Sequence, residues 1–114
     1  SMLDTAKQLK AMNAKRVYIC CTFGLFTDGL DRFDEAYEKC YFDKVVTTNL
    51  TYQLPELKSK PYYLEADMSK YLAAIINSFN HDVSIGAALS PTEKIQKLVK
   101  RYQAGGYDYY QTIQ

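Results

Sequence analysis

The sequence predicts an α/β fold, a partial parallel sheet with flanking helices, on three observations. Val17-Tyr18-Ile19-Cys20-Cys21-Thr22-Phe23-Gly24 is a continuous apolar and β-favouring run, the pattern of a strand buried on both faces of a parallel sheet. Asp43-Lys44-Val45-Val46-Thr47-Thr48-Asn49 is a second such run, read as a parallel neighbour reached by a crossover. Before, between and after the two lie stretches whose apolar residues recur at helical spacing. Ligands of parallel sheets collect at the carboxyl ends of strands, so Thr22-Phe23-Gly24 is expected on the functional rim.

The first helix follows from Leu3, Ala6, Leu9 and Met12, an apolar stripe with Asp4, Lys7 and Lys10 facing out. Asn13-Ala14 ends it, because asparagine tolerates the left-handed conformation. A helix leading straight into a buried strand is expected to follow an earlier strand, so the sheet is expected to lack its upstream strands. The missing neighbour would pair beside Val17 to Phe23. That edge is expected to be covered by a second copy, a swapped element or an upstream segment.

Thr27 or Asp28 is the expected cap of a second helix with Leu30, Phe33, Tyr37 and Cys40 on one face and Asp31, Arg32, Glu35 and Glu38 toward water. Leu54-Pro55-Glu56 and Lys58-Ser59-Lys60-Pro61 are loop signals, and Tyr62-Tyr63-Leu64 is a short third strand. A third helix carries Met68, Tyr71, Leu72, Ile75, Ile76 and Phe79 on one broad stripe, which is expected to be buried. Asn80-His81-Asp82 stops it, and Val83 to Leu89 reads as an irregular connection. Ser90-Pro91-Thr92-Glu93 combines a capping serine, proline at the first helical position and glutamate three after the cap, ahead of a helix bearing Ile95, Leu98, Val99 and Tyr102. Gly105-Gly106 ends that helix, and the tyrosine-rich remainder reads as a loosely held tail. The expected organisation is a sheet domain over residues 1–89, a carboxyl-terminal helix over 90–104 and a tail over 105–114.

With 114 residues, 47% of them hydrophobic, the chain has room for one core. Its 14 basic and 13 acidic side chains leave a net charge of +1, which argues against nucleic acid or a membrane surface as partner. No apolar run reaches the length of a membrane span, and no signal peptide is read at the amino end. Three cysteines is an odd count, and Cys20 and Cys21 point to opposite strand faces. Reduced thiols buried in the core of a cytoplasmic protein are expected.

Few residues nominate chemistry by themselves. His81, the single histidine, has no second histidine or cysteine at ligand spacing and reads as a polar residue at a helix end. Asp31, Asp34 and Glu35 read as a solvated charge cluster on a helix face rather than a magnesium site. No phosphate-binding Walker loop, nucleophile elbow or dinucleotide fingerprint is present. No catalytic residue and no metal ligand is nominated.

Several segments, taken in order, carry a resemblance. Ser1-Met2-Leu3 with its helix, Ala14-Lys15-Arg16-Val17-Tyr18, Cys21-Thr22-Phe23-Gly24-Leu25-Phe26 and Asp43-Lys44-Val45-Val46-Thr47-Thr48-Asn49 resemble the carboxyl-terminal part of a ribose-phosphate pyrophosphokinase, from Ser1 to about Leu89. The resemblance implies a phosphoribosyltransferase-like fold lacking its upstream strands. For the full-length parent it implies transfer of diphosphate from ATP to ribose 5-phosphate, forming 5-phosphoribosyl 1-diphosphate for nucleotide biosynthesis. It also implies a homo-oligomer, and magnesium bound mainly by parts outside this chain.

Residue by residue, Ser1 falls on the last hydroxyl residue of the family's phosphate loop, which implies a ribose-5-phosphate contact. The loop's paired aspartates would then lie upstream of residue 1, and the 114-residue piece alone is expected to be inactive. Met2-Leu3-Asp4-Thr5-Ala6 mimics the wording of the loop itself. That match would leave Leu9 to Asn13 as the crossover helix, about 7 Å long and too short to pack along a strand of ~20 Å. Thr22-Phe23-Gly24 stands where the family has threonine-histidine-glycine, with Phe23 in the histidine's place. Val83-Ser84-Ile85-Gly86 is similar to a serine-valine-serine segment that binds an inhibitory nucleotide phosphate in regulated members, which implies a regulatory anion site at Ser84. A type I phosphoribosyltransferase and a non-catalytic regulatory relative of the synthetase are the other two readings.

Overall fold

The computed structural model describes residues 1–82, 84, 86 and 90–105. They belong to two compact units, Ser1–Asp67 and Met68–Gln114. The first holds helix α1 (Met2–Ala11), strand β1 (Tyr18–Cys21), helix α2 (Asp31–Glu38), strand β2 (Lys44–Thr48), a 3-10 turn (Pro55–Ser59) and strand β3 (Tyr63–Ala66). The second holds helices α3 (Ser69–Asn80) and α4 (Thr92–Gln103).

The three strands form one parallel sheet in the order β1-β2-β3, with Ile19 opposite Val45 and Val45 opposite Tyr63. Asn13 takes the left-handed conformation at φ 67° and stops α1, as its short polar side chain permits. Ala6 of α1 and Ala36 of α2 both join Val17, Ile19, Phe42, Val45 and Tyr62 in a single buried cluster. Both helices therefore cover the same face of the sheet.

That placement corrects the first strand. Ile19 is buried, but Tyr18 is 54% exposed and Cys20 is exposed too, so β1 is apolar on both faces and buried on one. A continuous apolar run measures what a strand could bury; the number and side of the covering helices decide what it does bury. The thiols change with it, since Cys20 and Cys40 are exposed rather than in the core.

Aromatic side chains fill the space beneath α2. Phe42 packs edge-on to Tyr62 at 5.4 Å between ring centroids, and Tyr37 lies 5.8 Å and 5.3 Å from these two rings. Two carboxylates pin the layer. Asp34 accepts from Lys60 Nζ and from the Tyr62 hydroxyl, each at 2.7 Å, and Asp43 accepts from the Val17 amide at 2.8 Å and Lys10 Nζ at 3.4 Å. Asp34 is thus no member of a solvated charge cluster but a tie between α2 and the entry to β3. Thr47, 1% exposed, donates to the Tyr63 hydroxyl at 2.8 Å, and that hydroxyl donates to Gln53 Oε1 at 2.7 Å.

The cap of α2 falls later than expected. Phe26 and Gly29, both at positive φ, turn the chain once more before the helix, and Leu30 becomes the residue preceding its first turn. α4 likewise starts one residue late, with Pro91 rather than Ser90 at the cap and no capping side-chain bond.

In the second unit neither α3 nor α4 contains a buried residue. The α3 stripe expected to be buried has Leu72, Ile76 and Phe79 at 47%, 59% and 65% exposure. Two twelve-residue helices supply too little opposing surface to bury two full stripes. Their one described ring contact sets Lys94 Nζ 4.5 Å from the Tyr71 ring centroid. His81 ends α3, with Nδ1 2.9 Å from the Asn77 carbonyl, and Gly105 at φ 75° ends α4. Of the expected irregular connection only Ser84 and Gly86 are described, Gly86 being helical, and the expected tail beyond Gly105 lies outside the described residues.

Candidate functional site

The carboxyl end of β1 runs into a turn packed tightly around Gly24. A Cβ on Gly24 would meet the Phe26 ring at 2.7 Å and Thr47 Cγ2 at 2.8 Å, so a side chain there would displace the packed wall behind it. The Thr48 hydroxyl donates to the Thr22 carbonyl and fixes the strand end against β2. Gly29 N–H then bonds the Phe26 carbonyl at 3.0 Å and closes the loop that leads to α2.

This loop and the amino terminus of α1 enclose a crevice of about 230 Å³. Ile19 and Val45 form its buried floor, and Ser1, Phe23, Asp28 and Arg32 stand among its more exposed walls. The positive dipole end of a ten-residue helix, its first turn closed by a Ser1–Asp4 capping box, thus shares this crevice with the Arg32 guanidinium at the carboxyl end of a parallel strand. Such an arrangement suits a small anion.

One side chain already competes for that role. Asp4, in the first turn of α1, accepts from the Ser1 hydroxyl at 2.9 Å and from the Ser1 amino group at 3.1 Å. The Ser1 hydroxyl foremost, then the amino group, hold the Asp4 carboxyl below its usual range, and Arg32 adds in the same direction. The Ser1 hydroxyl is therefore engaged by an internal carboxylate.

Of the residues nominated from sequence, Ser1 and the Phe23–Gly24 rim come together in this crevice. Ser84 belongs to the second unit, where it is exposed and its hydroxyl accepts from the Gly86 amide at 3.3 Å. Arg32 was missed, since helical periodicity placed it on the water face of α2; the returning loop brings that face to the mouth of the crevice. A cation in the first turn of a helix, where a carboxylate is usually favoured, was the available signal. Among the described residues no group of three or more His, Cys, Asp or Glu could hold a metal ion, and no helix is long and apolar enough to cross a membrane.

Fold and crevice together define a mixed α/β protein with a small three-stranded parallel sheet and flanking helices. No family model, curated protein or solved structure matches the chain.

Proposed function

We propose that the chain is the carboxyl-terminal part of a ribose-phosphate pyrophosphokinase, with a phosphoribosyltransferase-like fold that the parent completes. The observation that carries this reading is the meeting of Ser1, at the amino terminus of α1, with the Phe23–Gly24 turn and Arg32 around one crevice. In the parent, the α1 amino terminus holds the phosphate of ribose 5-phosphate and Arg32 offsets its charge. Seating that phosphate displaces the Asp4 carboxylate, because two anions cannot share one helix end.

The reaction transfers diphosphate from ATP to the anomeric hydroxyl, and positioning and charge compensation supply most of the catalysis. Magnesium would neutralise the polyphosphate. Asp28, the one acid lining this crevice, does not make a donor set for it, so no step is assigned to the metal through this chain. Its ligands, the ATP site and the paired aspartates belong to the rest of the parent, a homo-oligomer in which Ser84 contributes to a regulatory anion site.

The hold of Asp4 on Ser1 favours a second reading, a non-catalytic regulatory relative in which the helix end is permanently closed. Titrating ribose 5-phosphate into the purified chain separates the two. Amide shifts at residues 2–5 and 22–25, absent with ribose and weakened about tenfold by Arg32→Ala, support the phosphate role. No shift at these amides favours the closed site, and AMP production from ATP and ribose 5-phosphate by the 114-residue chain would overturn the assignment of catalysis to parts outside it.

A further inference from the structure

The net charge of +1 conceals an uneven split between the two units. In Ser1–Asp67 nine Lys and Arg are outnumbered by ten Asp and Glu, whereas residues 68–105 hold five Lys and Arg against Asp82 and Glu93. Four of those five, Lys94, Lys97, Lys100 and Arg101, lie on α4, whose one acid, Glu93, sits in its first turn. Lys94 is taken up by the Tyr71 ring. Lys97, Lys100 and Arg101 are exposed, and no carboxylate among the described residues pairs with them.

The apolar residues of the same helix are just as unengaged. Ile95, Leu98, Val99 and Tyr102 recur at helical spacing and are 53%, 39%, 47% and 73% exposed. At 3.6 residues per turn they form a stripe about 100° wide, and Lys97 and Lys100 stand about 150° from its centre, with Arg101 nearer its margin.

That division decides between occupants. A protein groove that takes the stripe leaves the opposite face of the helix in water, where Lys97 and Lys100 meet no acid. An acidic rim around such a groove would need cations on both margins, and the margin formed by Thr92, Gln96 and Gln103 has none. An anionic lipid surface acts differently. A helix about 10 Å across, sunk to half its depth in the acyl boundary, has its polar face at the height of the lipid phosphates, and the surface potential reaches it over about 8 Å.

We propose that α4 lies flat on a membrane surface bearing acidic lipids, with Ile95, Leu98, Val99 and Tyr102 in the acyl boundary and Lys97, Lys100 and Arg101 among the phosphates. Tyr102 suits that depth, since its ring is apolar and its hydroxyl stays wet. At about 18 Å the helix rests on the bilayer, and no described helix is long and apolar enough to cross it. One short stripe buries too little to hold a neutral bilayer, so the contact depends on the cations and is reversible. The proposal rests on α4 alone and stands apart from the phosphate-site reading.

Co-sedimentation of the 114-residue chain with lipid vesicles is the test. Phosphatidylcholine vesicles with about one-third phosphatidylserine should bind it at least about tenfold more tightly than phosphatidylcholine alone, and raising salt from ~0.1 M to ~1 M should release it. Lys97→Gln with Lys100→Gln should weaken binding about thirtyfold, at ~1 kcal/mol for each cation near the surface, while Lys15→Gln with Lys58→Gln in the first unit should change it less than about threefold. Ile95→Asp should abolish binding and leave the circular dichroism spectrum unchanged, the position being exposed. Should that variant lose helix signal, Tyr102→Ser gives the same reading at a position 73% exposed. A chain indifferent to the acidic vesicles overturns the proposal and returns α4 to a protein groove. So does equal binding to phosphatidylcholine alone, or an equal loss from the two lysine pairs. Binding that survives Ile95→Asp and Tyr102→Ser overturns it too, because a polyanion such as a nucleic acid needs the cations without the stripe.

Discussion

The two units use similar proportions of apolar sequence to opposite effect. In the first, Phe42, Tyr62, Leu57 and Val45 are at most 2% exposed; in the second, neither helix buries a single residue. The difference does not lie in amphipathicity, since α3 and α4 carry clearer stripes than α1. It lies in what opposes the stripe. Each strand of a sheet offers a row of side chains at fixed spacing, so a helix laid on it meets several partners at once, whereas the second unit has no strand among its described residues.

The comparison is broken most sharply by truncating one aromatic in each unit. Phe42→Ala is expected to cost about 3–5 kcal/mol in urea denaturation followed by circular dichroism, because the ring touches Phe33, Tyr37 and Tyr62 and leaves a cavity among them. Phe79→Ala, at 65% exposure, should stay within about 0.5 kcal/mol. Equal losses at the two positions would show that α3 is buried in solution.

Tyr62→Phe keeps the ring and removes the hydroxyl bonded to Asp34. The expected loss is about 1.5–3 kcal/mol, the range for hydrogen bonds to charged groups, measured in the same denaturation. Gly24→Ala comes next at about 1–3 kcal/mol, since the added methyl must displace Phe26 or Thr47. A neutral Gly24→Ala would mean that the wall behind the turn yields easily and that the crevice is not rigid.

The smallest effect concerns acid. Lys60 first and then Tyr62 lower the carboxyl of Asp34, and the Val17 amide first lowers that of Asp43, both from an ordinary value near 3.8. A lowered folded-state value means that stability is fully present above that ordinary value and is lost as pH falls through the folded ones. The first unit should therefore weaken below pH 3.8, and Asp34→Asn and Asp43→Asn should each flatten the slope in a pH series of thermal melts. The second unit has no such pinned carboxylate among the described residues, and its helix signal should vary less over that window.

The sequence by itself determined the elements, because their signals are local. The stripe of Leu3, Ala6 and Leu9 made α1, the left-handed tolerance of Asn13 ended it, the Val45-Val46 run made a strand, and Gly105 closed α4. The rim also was legible, since the carboxyl end of the first strand is set by the run that ends at Gly24. What the tertiary structure alone decided depends on residues distant in the chain. That both α1 and α2 lie on one face exposes Tyr18 and Cys20, that Lys60 and Tyr62 reach Asp34 ties α2 to the entry of β3, and that the loop after Gly24 curls back sets Arg32 on the same crevice as Ser1. Periodicity reports which side of an element is apolar; which side is covered depends on how many partners the fold supplies and where the chain delivers them.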